Sequence, residues 1–104
     1  VTLVVPRLDT APTWLGDVRR RTIALRCPDH PVALDLLRIA GPLAVTSANR
    51  SADRPVNSAE DARDVFSDDV LTYLPGAAGG GEPSTLVDLT QPSEMVLRSG
   101  PIQL

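Results

Sequence analysis

The sequence predicts an α/β (α+β) fold, a mixed twisted sheet with helices packed on it. Short β-prone runs outnumber helical patterns and alternate with them irregularly, which favours a mixed sheet over a regular βαβ order. The chain has 104 residues, 42% of them hydrophobic but only 3% aromatic, so its core must be mainly aliphatic. The sequence has no internal repeat, and its length suits one domain or part of one.

The first 28 residues contain two predicted strands separated by an irregular segment. Residues 1–5 (VTLVV) are β-prone and end at Pro6, which cannot continue a ladder. Residues 7–21 show no periodicity and predict a loop, and residues 22–26 (TIALR) predict a second strand. Because the sequence opens inside a strand pattern, we expect residues 1–104 to be the C-terminal portion of a single domain, truncated at its N-terminus.

Two helices are predicted in the middle of the chain. The first begins after His30, with Pro at an early helical position where its missing N–H costs nothing, and ends before Gly41. The second begins at Ser58, a favourable N-cap residue, and runs to about Phe66. Its first turn carries two acidic residues, which the helix dipole favours there.

Four further strands are predicted around these helices. Residues 43–46 (LAVT) lack alternation and read as a strand buried on both faces. Residues 70–74 predict another strand, followed by a Gly-rich loop over residues 75–83. Two last strands, residues 85–89 and 94–97, surround a Gln-Pro-Ser turn.

Composition narrows the classes of function. The net charge is −3, so there is no general electrostatic attraction to nucleic acid; the one basic run, Arg19 to Arg21, is typical of a solvated surface. The single Cys27 has no disulfide or metal-ligand companion, and we expect it to be a buried apolar residue. No apolar run is long enough for a membrane span and no signal peptide is evident, which predicts a cytoplasmic protein without a membrane partner.

The segment most informative about function is Gly41–Ser51 (GPLAVTSANRS). If the backbone stays extended beyond the predicted strand, Ser47 and Asn49 point to the same side. Their neutral hydroxyl and amide groups can hydrogen-bond carboxylate or phosphate oxygens, and ligands commonly bind at strand ends. Taken alone, however, Ser-Ala-Asn is at least as typical of a turn that caps a strand.

Four ordered segments give a more specific indication, since they resemble the YrdC/TsaC family of threonylcarbamoyl-AMP synthases. Residues 26–31 (RCPDHP) resemble the family's R-x-P-x-H-P pattern, and residues 41–51 resemble G-P-L-A-x-T-S-A-N-x-S. Residues 83–89 (PSTLVDL) resemble P-S-T-[VI]-V-D-L, and residues 96–100 (VLRSG) resemble V-L-R-x-G. The order and separations also match, so the resemblance covers essentially the whole chain and implies the C-terminal half of a YrdC-like domain.

The resemblance implies an L-threonylcarbamoyladenylate synthase, a nucleotidyltransferase. Such an enzyme joins L-threonine, bicarbonate and ATP into threonylcarbamoyl-AMP and pyrophosphate, for threonylcarbamoyladenosine modification at position 37 of tRNA. ATP is then a substrate, accompanied at most by Mg²⁺, and no tightly bound cofactor or protein metal site is implied. A downstream tRNA-modifying transferase complex is an implied partner, and direct tRNA binding is left open. The implied threonine-binding residues are Arg26, Ser47 and Ser84, and the implied ATP-binding residues are Thr22, Asn49, Asn57 and Arg98.

The sequence also departs from the family pattern. The family's catalytic Lys-x-Arg pair lies in its N-terminal half and has no counterpart here, so the catalytic residues stay unassigned and the isolated chain is expected to be inactive. Two alternatives stay open. One is a nucleotide- or RNA-binding module without catalysis, and the other is a YrdC-like segment of a hydrogenase-maturation carbamoyltransferase.

Overall fold

The computed structural model describes residues 1–104 as two compact units. The sheet unit consists of residues 1–28 and 82–104, and the helical unit consists of residues 29–81. The sheet unit contains four strands, and the helical unit contains two α-helices and a short 3₁₀-helix. The predicted α/β class, with a mixed sheet and helices, is therefore confirmed.

The sheet has the strand order β2-β1-β3-β4. Strand β1 (Thr2–Pro6) lies between β2 (Thr22–Leu25), which is antiparallel to it, and β3 (Leu86–Asp88), which is parallel to it. Strand β4 (Met95–Arg98) pairs with β3 in the antiparallel direction. These directions place the starts of β1 and β3 and the ends of β2 and β4 at one edge of the sheet, which we call the ligand edge.

The strand register aligns particular residues across this edge. Leu3 of β1 is paired with Leu25 of β2, and Thr2 is paired with Leu86 of β3. Leu86 is also paired with Arg98, beside a register shift in the ladder. Since paired residues in adjacent strands project to the same face, the side chains of Thr2, Leu86 and Arg98 share one face of the sheet.

Full burial is confined to the inner strand β3 and the residue just before it. Val87 is the one buried apolar residue, with 2% of its surface exposed, and Thr85 is buried to the same extent. Apolar residues of the outer strands are about half exposed, as at Leu25 (52%) and Leu97 (50%). The core therefore sits where β3 is paired on both sides.

The loop between β1 and β2 is organised by a buried arginine. Arg7 is only 8% exposed, and its guanidinium donates to four backbone carbonyl oxygens. Nε donates to Leu15 (2.8 Å), Nη1 to Leu8 (3.1 Å), and Nη2 to both Ala11 (2.6 Å) and Pro12 (2.7 Å). Because a buried charge is costly unless its donors are satisfied, these bonds make its burial tolerable.

Both predicted helices are present in the helical unit. Helix α1 (Pro31–Ala40) begins with the predicted proline and ends at Gly41, whose φ is 76°. Helix α2 (Ala59–Phe66) begins at the predicted N-cap, where Ser58 Oγ accepts the backbone N–H of Asp61 at 3.1 Å. Neither helix has the length and apolar composition that crossing a membrane requires.

Three sequence expectations are wrong. Residues 43–46 and 70–74 form no strands, and their apolar side chains are not buried: Val45 is 87% exposed and Leu71 is fully exposed. A β-prone run becomes a strand only when a neighbour completes its backbone hydrogen bonds, and the four strands of the sheet pair only with one another. Cys27, expected to be buried, is exposed because it follows the edge strand β2.

Candidate functional site

The predicted site residues divide between the two units. Arg26, Ser84, Thr22 and Arg98 belong to the sheet unit, and Ser47, Asn49 and Asn57 belong to the helical unit. Within the sheet unit, three of the four lie at the ligand edge. Arg26 follows the last residue of β2, Ser84 precedes β3, and Arg98 ends β4.

Ser84 is fixed at the ligand edge by hydrogen bonds to both its backbone and its side chain. The Arg98 guanidinium donates to the Ser84 carbonyl oxygen from Nε (3.1 Å) and from Nη2 (2.8 Å). The Ser84 hydroxyl lies 2.6 Å from the Thr2 hydroxyl, in a partly buried hydrogen bond. Ser84 therefore has a fixed backbone and a fixed Oγ position, as a binding residue requires.

A close backbone approach explains why the last of the four segments ends in a glycine, Gly100. A Cβ atom added to it would lie 2.4 Å from the Pro83 carbonyl oxygen and 2.4 Å from the Thr85 backbone nitrogen. Only glycine allows the chain after β4 to pass so close to the chain before β3. Gly100 and Thr2 both support Ser84, although residue patterns in the sequence predict a role for neither. Their contacts depend on strand register, which residue spacing does not reveal.

Arg26 is also placed at the ligand edge. Continuing the antiparallel register of Leu3 and Leu25 by one position sets Arg26 opposite Thr2. Arg26 is exposed and forms no hydrogen bond or ion pair within the chain. Its planar guanidinium is free to bind a carboxylate through two parallel hydrogen bonds.

Thr22 lies at the other end of β2. It is paired with Pro6, and its backbone exchanges hydrogen bonds with Asp17 at 2.8 and 3.1 Å. At about 3.3 Å of rise per residue, four positions separate it from Arg26 by about 13 Å. The sheet therefore sets Arg26, Ser84 and Arg98 at the ligand edge on different strands, whereas Thr22 lies at the opposite end of β2, and its contact with ATP stays a prediction.

The charges at the ligand edge favour an anionic ligand. All four ion pairs of the chain involve other arginines, namely Arg20, Arg21, Arg38 and Arg50. Arg26 and Arg98 are thus two positive groups without a carboxylate partner. Arg98 also keeps guanidinium donors that its two bonds to Ser84 leave unused. Together with the Ser84 hydroxyl, these groups can bind carboxylate or phosphate oxygens.

In the helical unit, Ser47 and Asn49 form a turn. The Asn49 backbone N–H donates to the Ser47 carbonyl oxygen at 3.1 Å, a bond between residues two apart. The backbone is therefore not extended here, so the condition under which both side chains would point to the same side is not met. The Asn49 side-chain amide donates to the Arg50 carbonyl oxygen at 2.9 Å, while its own oxygen is buried and accepts no hydrogen bond within the chain.

Further contacts hold this turn in place. The Ala48 carbonyl oxygen accepts the Val56 N–H at 2.9 Å, which closes the loop on itself. The Arg50 guanidinium pairs with the Asp69 carboxylate and lies 5.2 Å from the centre of the Phe66 ring, so the loop is anchored to the C-terminal end of α2.

Asn57 follows this loop. Its carbonyl oxygen accepts the Ala78 N–H at 2.7 Å, whereas its exposed side chain makes no hydrogen bond and is available to a ligand.

The curated proteins that this chain resembles include several named threonylcarbamoyl-AMP synthase. A protein named "Putative threonylcarbamoyl-AMP synthase" from Mycobacterium tuberculosis is 46% identical over 105 residues, covering 98% of this chain and 47% of its own length. The Mycobacterium leprae protein of the same name is 37% identical, covering 100% of this chain and 47% of its own. The threonylcarbamoyl-AMP synthase of Halorhodospira halophila is 40% identical over 86 residues, covering 82% and 44%.

The chain thus spans about half the length of the curated relatives it matches. No solved structure matches it significantly. The model of the Sua5/YciO/YrdC domain family, described as "Telomere recombination", matches residues 1–100, nearly the whole chain. On this match and on the relatives above, the chain belongs to the Sua5/YciO/YrdC family.

Proposed function

We propose that the chain is part of an L-threonylcarbamoyladenylate synthase. In the complete protein, the amine of L-threonine would form an N–C bond with the bicarbonate carbon, with loss of water, to give a carbamate. An oxygen of this carbamate would attack the α-phosphorus of ATP and displace pyrophosphate. The product, threonylcarbamoyl-AMP, would serve tRNA modification at position 37. The observation that carries the proposal is the ligand edge, where the Ser84 hydroxyl lies with two arginines that no carboxylate neutralises. The names of the relatives supply the reaction.

Each group at the ligand edge has a role that suits its chemistry. Arg26 would bind the threonine carboxylate through a bidentate pair, and the Ser84 hydroxyl would hydrogen-bond the same substrate. Arg98 would use its free donors to neutralise ATP phosphate charge. These residues bind and orient the substrates, and we assign none of them as a nucleophile or a general base.

The helical unit would supply the remaining contacts. Ser47 would contact threonine, while Asn49, Asn57 and, from the sheet unit, Thr22 would contact ATP. Mg²⁺ would enter with ATP, held mainly by its phosphates as is usual for this ion. The chain itself has no group of three His, Cys, Asp or Glu side chains placed to hold a metal ion.

Substitutions in the complete protein test this assignment. We expect Ser47→Ala and Asn49→Ala each to lower kcat/KM by about 10- to 150-fold, the loss expected for a hydrogen bond to a charged group, with little change in melting temperature. Ser51→Ala is the matched control, since Ser51 is an exposed serine of the same loop whose hydroxyl makes no hydrogen bond. Unchanged kinetics together with a large melting shift would show that Ser47 and Asn49 only form a turn.

The isolated segment provides a second test. Residues 1–104 contain ten arginines and no lysine, so no Lys-x-Arg pair is present. We therefore expect no threonine- and bicarbonate-dependent release of pyrophosphate from ATP by these residues alone. Robust turnover would contradict the proposal that the reaction needs groups outside the segment.

A further inference from the structure

The hydrogen bond between the Thr2 and Ser84 hydroxyls joins two strands at the proposed threonine site. Thr2 begins β1 and Ser84 precedes β3, so the residues are 82 positions apart in sequence but in contact through the parallel pairing of their strands. Their oxygens are 2.6 Å apart in a partly buried setting. The backbone N–H of Thr2 also donates to the Thr85 carbonyl oxygen at 2.7 Å.

This contact restricts what the Ser84 hydroxyl can do. A serine hydroxyl ordinarily turns among three staggered positions and points its proton toward any available acceptor. The backbone of Ser84 is already fixed by Arg98 and by the close passage of Gly100. The remaining freedom of the residue is rotation of its side chain, and the Thr2 hydroxyl is the group that removes it.

We propose that Thr2 is a positioning residue for the threonine substrate and acts by setting the rotamer of the Ser84 side chain. This inference rests on the proposed function, because it takes Ser84 as a threonine-binding residue. Thr2 need not touch the substrate. By holding Ser84 Oγ at 2.6 Å, it leaves that oxygen preorganised for one further hydrogen bond.

The test uses Thr2→Val and Thr2→Ser in the complete protein. Valine matches the shape of threonine but lacks the hydroxyl, so we expect KM for threonine to rise about 2- to 12-fold, the loss expected for one neutral hydrogen bond. KM for ATP should not change. Serine keeps the hydroxyl and should stay near the wild-type KM. A Thr2→Val effect that is equal on both substrates, or that Thr2→Ser does not avoid, would overturn the inference.

A double substitution separates this inference from the proposed function. If Thr2 acts through Ser84, Thr2→Val should add nothing to Ser84→Ala, so the double variant should match Ser84→Ala alone. A crystal structure of the Thr2→Val protein should show Ser84 in more than one rotamer. If Ser84→Ala leaves KM for threonine unchanged, the proposed role of Ser84 fails. If Ser84→Ala raises it and Thr2→Val does not, only the role of Thr2 fails.

Discussion

Arg98 and Ser84 are joined by two hydrogen bonds from one guanidinium to one carbonyl oxygen, at 2.8 and 3.1 Å. Arg98, a proposed ATP-binding residue, thus holds the backbone of Ser84, a proposed threonine-binding residue. These bonds connect the two proposed subsites mechanically, because any movement of the Arg98 guanidinium changes the support of the Ser84 backbone.

Arg98 should therefore influence both substrates. We expect Arg98→Ala in the complete protein to raise KM for ATP and KM for threonine by about tenfold each, the scale of a charge-assisted hydrogen bond. Arg98→Lys keeps the charge but not the forked geometry, so it should preserve ATP binding better than threonine binding. Steady-state kinetics with each substrate varied in turn measures this. An Arg98→Ala effect on ATP alone would show that the bonds to Ser84 do not matter for threonine.

Gly100→Ala should destabilise the protein. The added Cβ would meet backbone atoms of Pro83 and Thr85 at 2.4 Å, and backbone cannot move aside as a flexible side chain can. We expect a loss of about 1–3 kcal/mol in the free energy of unfolding, or more, measured by urea denaturation. Gly79→Ala is the matched control, since no atom lies within 4 Å of its added Cβ and its φ is not positive. Equal stability of the two variants would contradict the close approach.

Ser58→Ala should weaken the start of α2. The Ser58 hydroxyl accepts the Asp61 N–H at 3.1 Å, and loss of such an N-cap costs about 1 kcal/mol. Ser58→Asp should restore most of the stability, because aspartate is also a favourable N-cap residue and suits the helix dipole. Thermal melts of both variants measure this. A melting temperature that Ser58→Ala leaves unchanged would show that the cap contributes nothing.

Asp88 should give the protein an acid-sensitive contribution to stability. Hydrogen bonds from the hydroxyl and the backbone N–H of Thr90 hold the pKa of the Asp88 carboxyl below its ordinary value. The folded state therefore retains the ionised carboxyl to lower pH than the unfolded chain does. The resulting stabilisation is present above the unfolded pKa and is lost as pH falls through the folded pKa, below about pH 4.

Removing the Thr90 hydroxyl tests this linkage. Thr90→Val should raise the pKa of Asp88 toward its ordinary value, as followed by NMR titration, and should lower stability at neutral pH more than at acid pH. Asp88→Asn is the control background, because it has no carboxyl to titrate. In the Asp88→Asn protein, the effect of Thr90→Val on stability should stay the same as the pH is lowered. An unchanged Asp88 titration in the Thr90→Val protein would refute the role of the hydroxyl.

Local sequence features predicted most of the regular elements. Pro6, Gly41 and Ser58 end or begin their elements where expected, because the effects of proline, glycine and a cap residue act within a few residues. The runs 43–46 and 70–74 were predicted as strands on propensity and hydrophobicity alone. Strand propensity depends on the residues within a run, whereas a strand also needs a neighbouring strand to pair with. Which strand that is depends on residues far away in the sequence.

The same distinction applies to the candidate site. Arg26, Ser84 and Arg98 were named from their segments, and the sheet places them at one edge. Thr2 was missed, because a threonine in a β-prone run has an ordinary explanation until the parallel register sets it against Ser84. At Ser47 and Asn49 the sequence is compatible with either a turn or a strand end, since short polar residues favour both, and the structure forms the turn.

The guanidinium of Arg7 has a consequence for how residues 8–20 can vary. It recognises four main-chain oxygens and no side chain, so the shape of the loop depends on its length and backbone course rather than on its chemical identity. Exposed side chains there, such as the 74% exposed Trp14, can be replaced by a fluorophore or by a labelled cysteine without breaking the hydrogen bonds of Arg7. Inserting or deleting a single residue would instead misalign the carbonyls. Apart from Gly16, whose φ of 78° and close approach to the Thr22 carbonyl oxygen require glycine, the segment is therefore permissive to substitution and intolerant of changes in length.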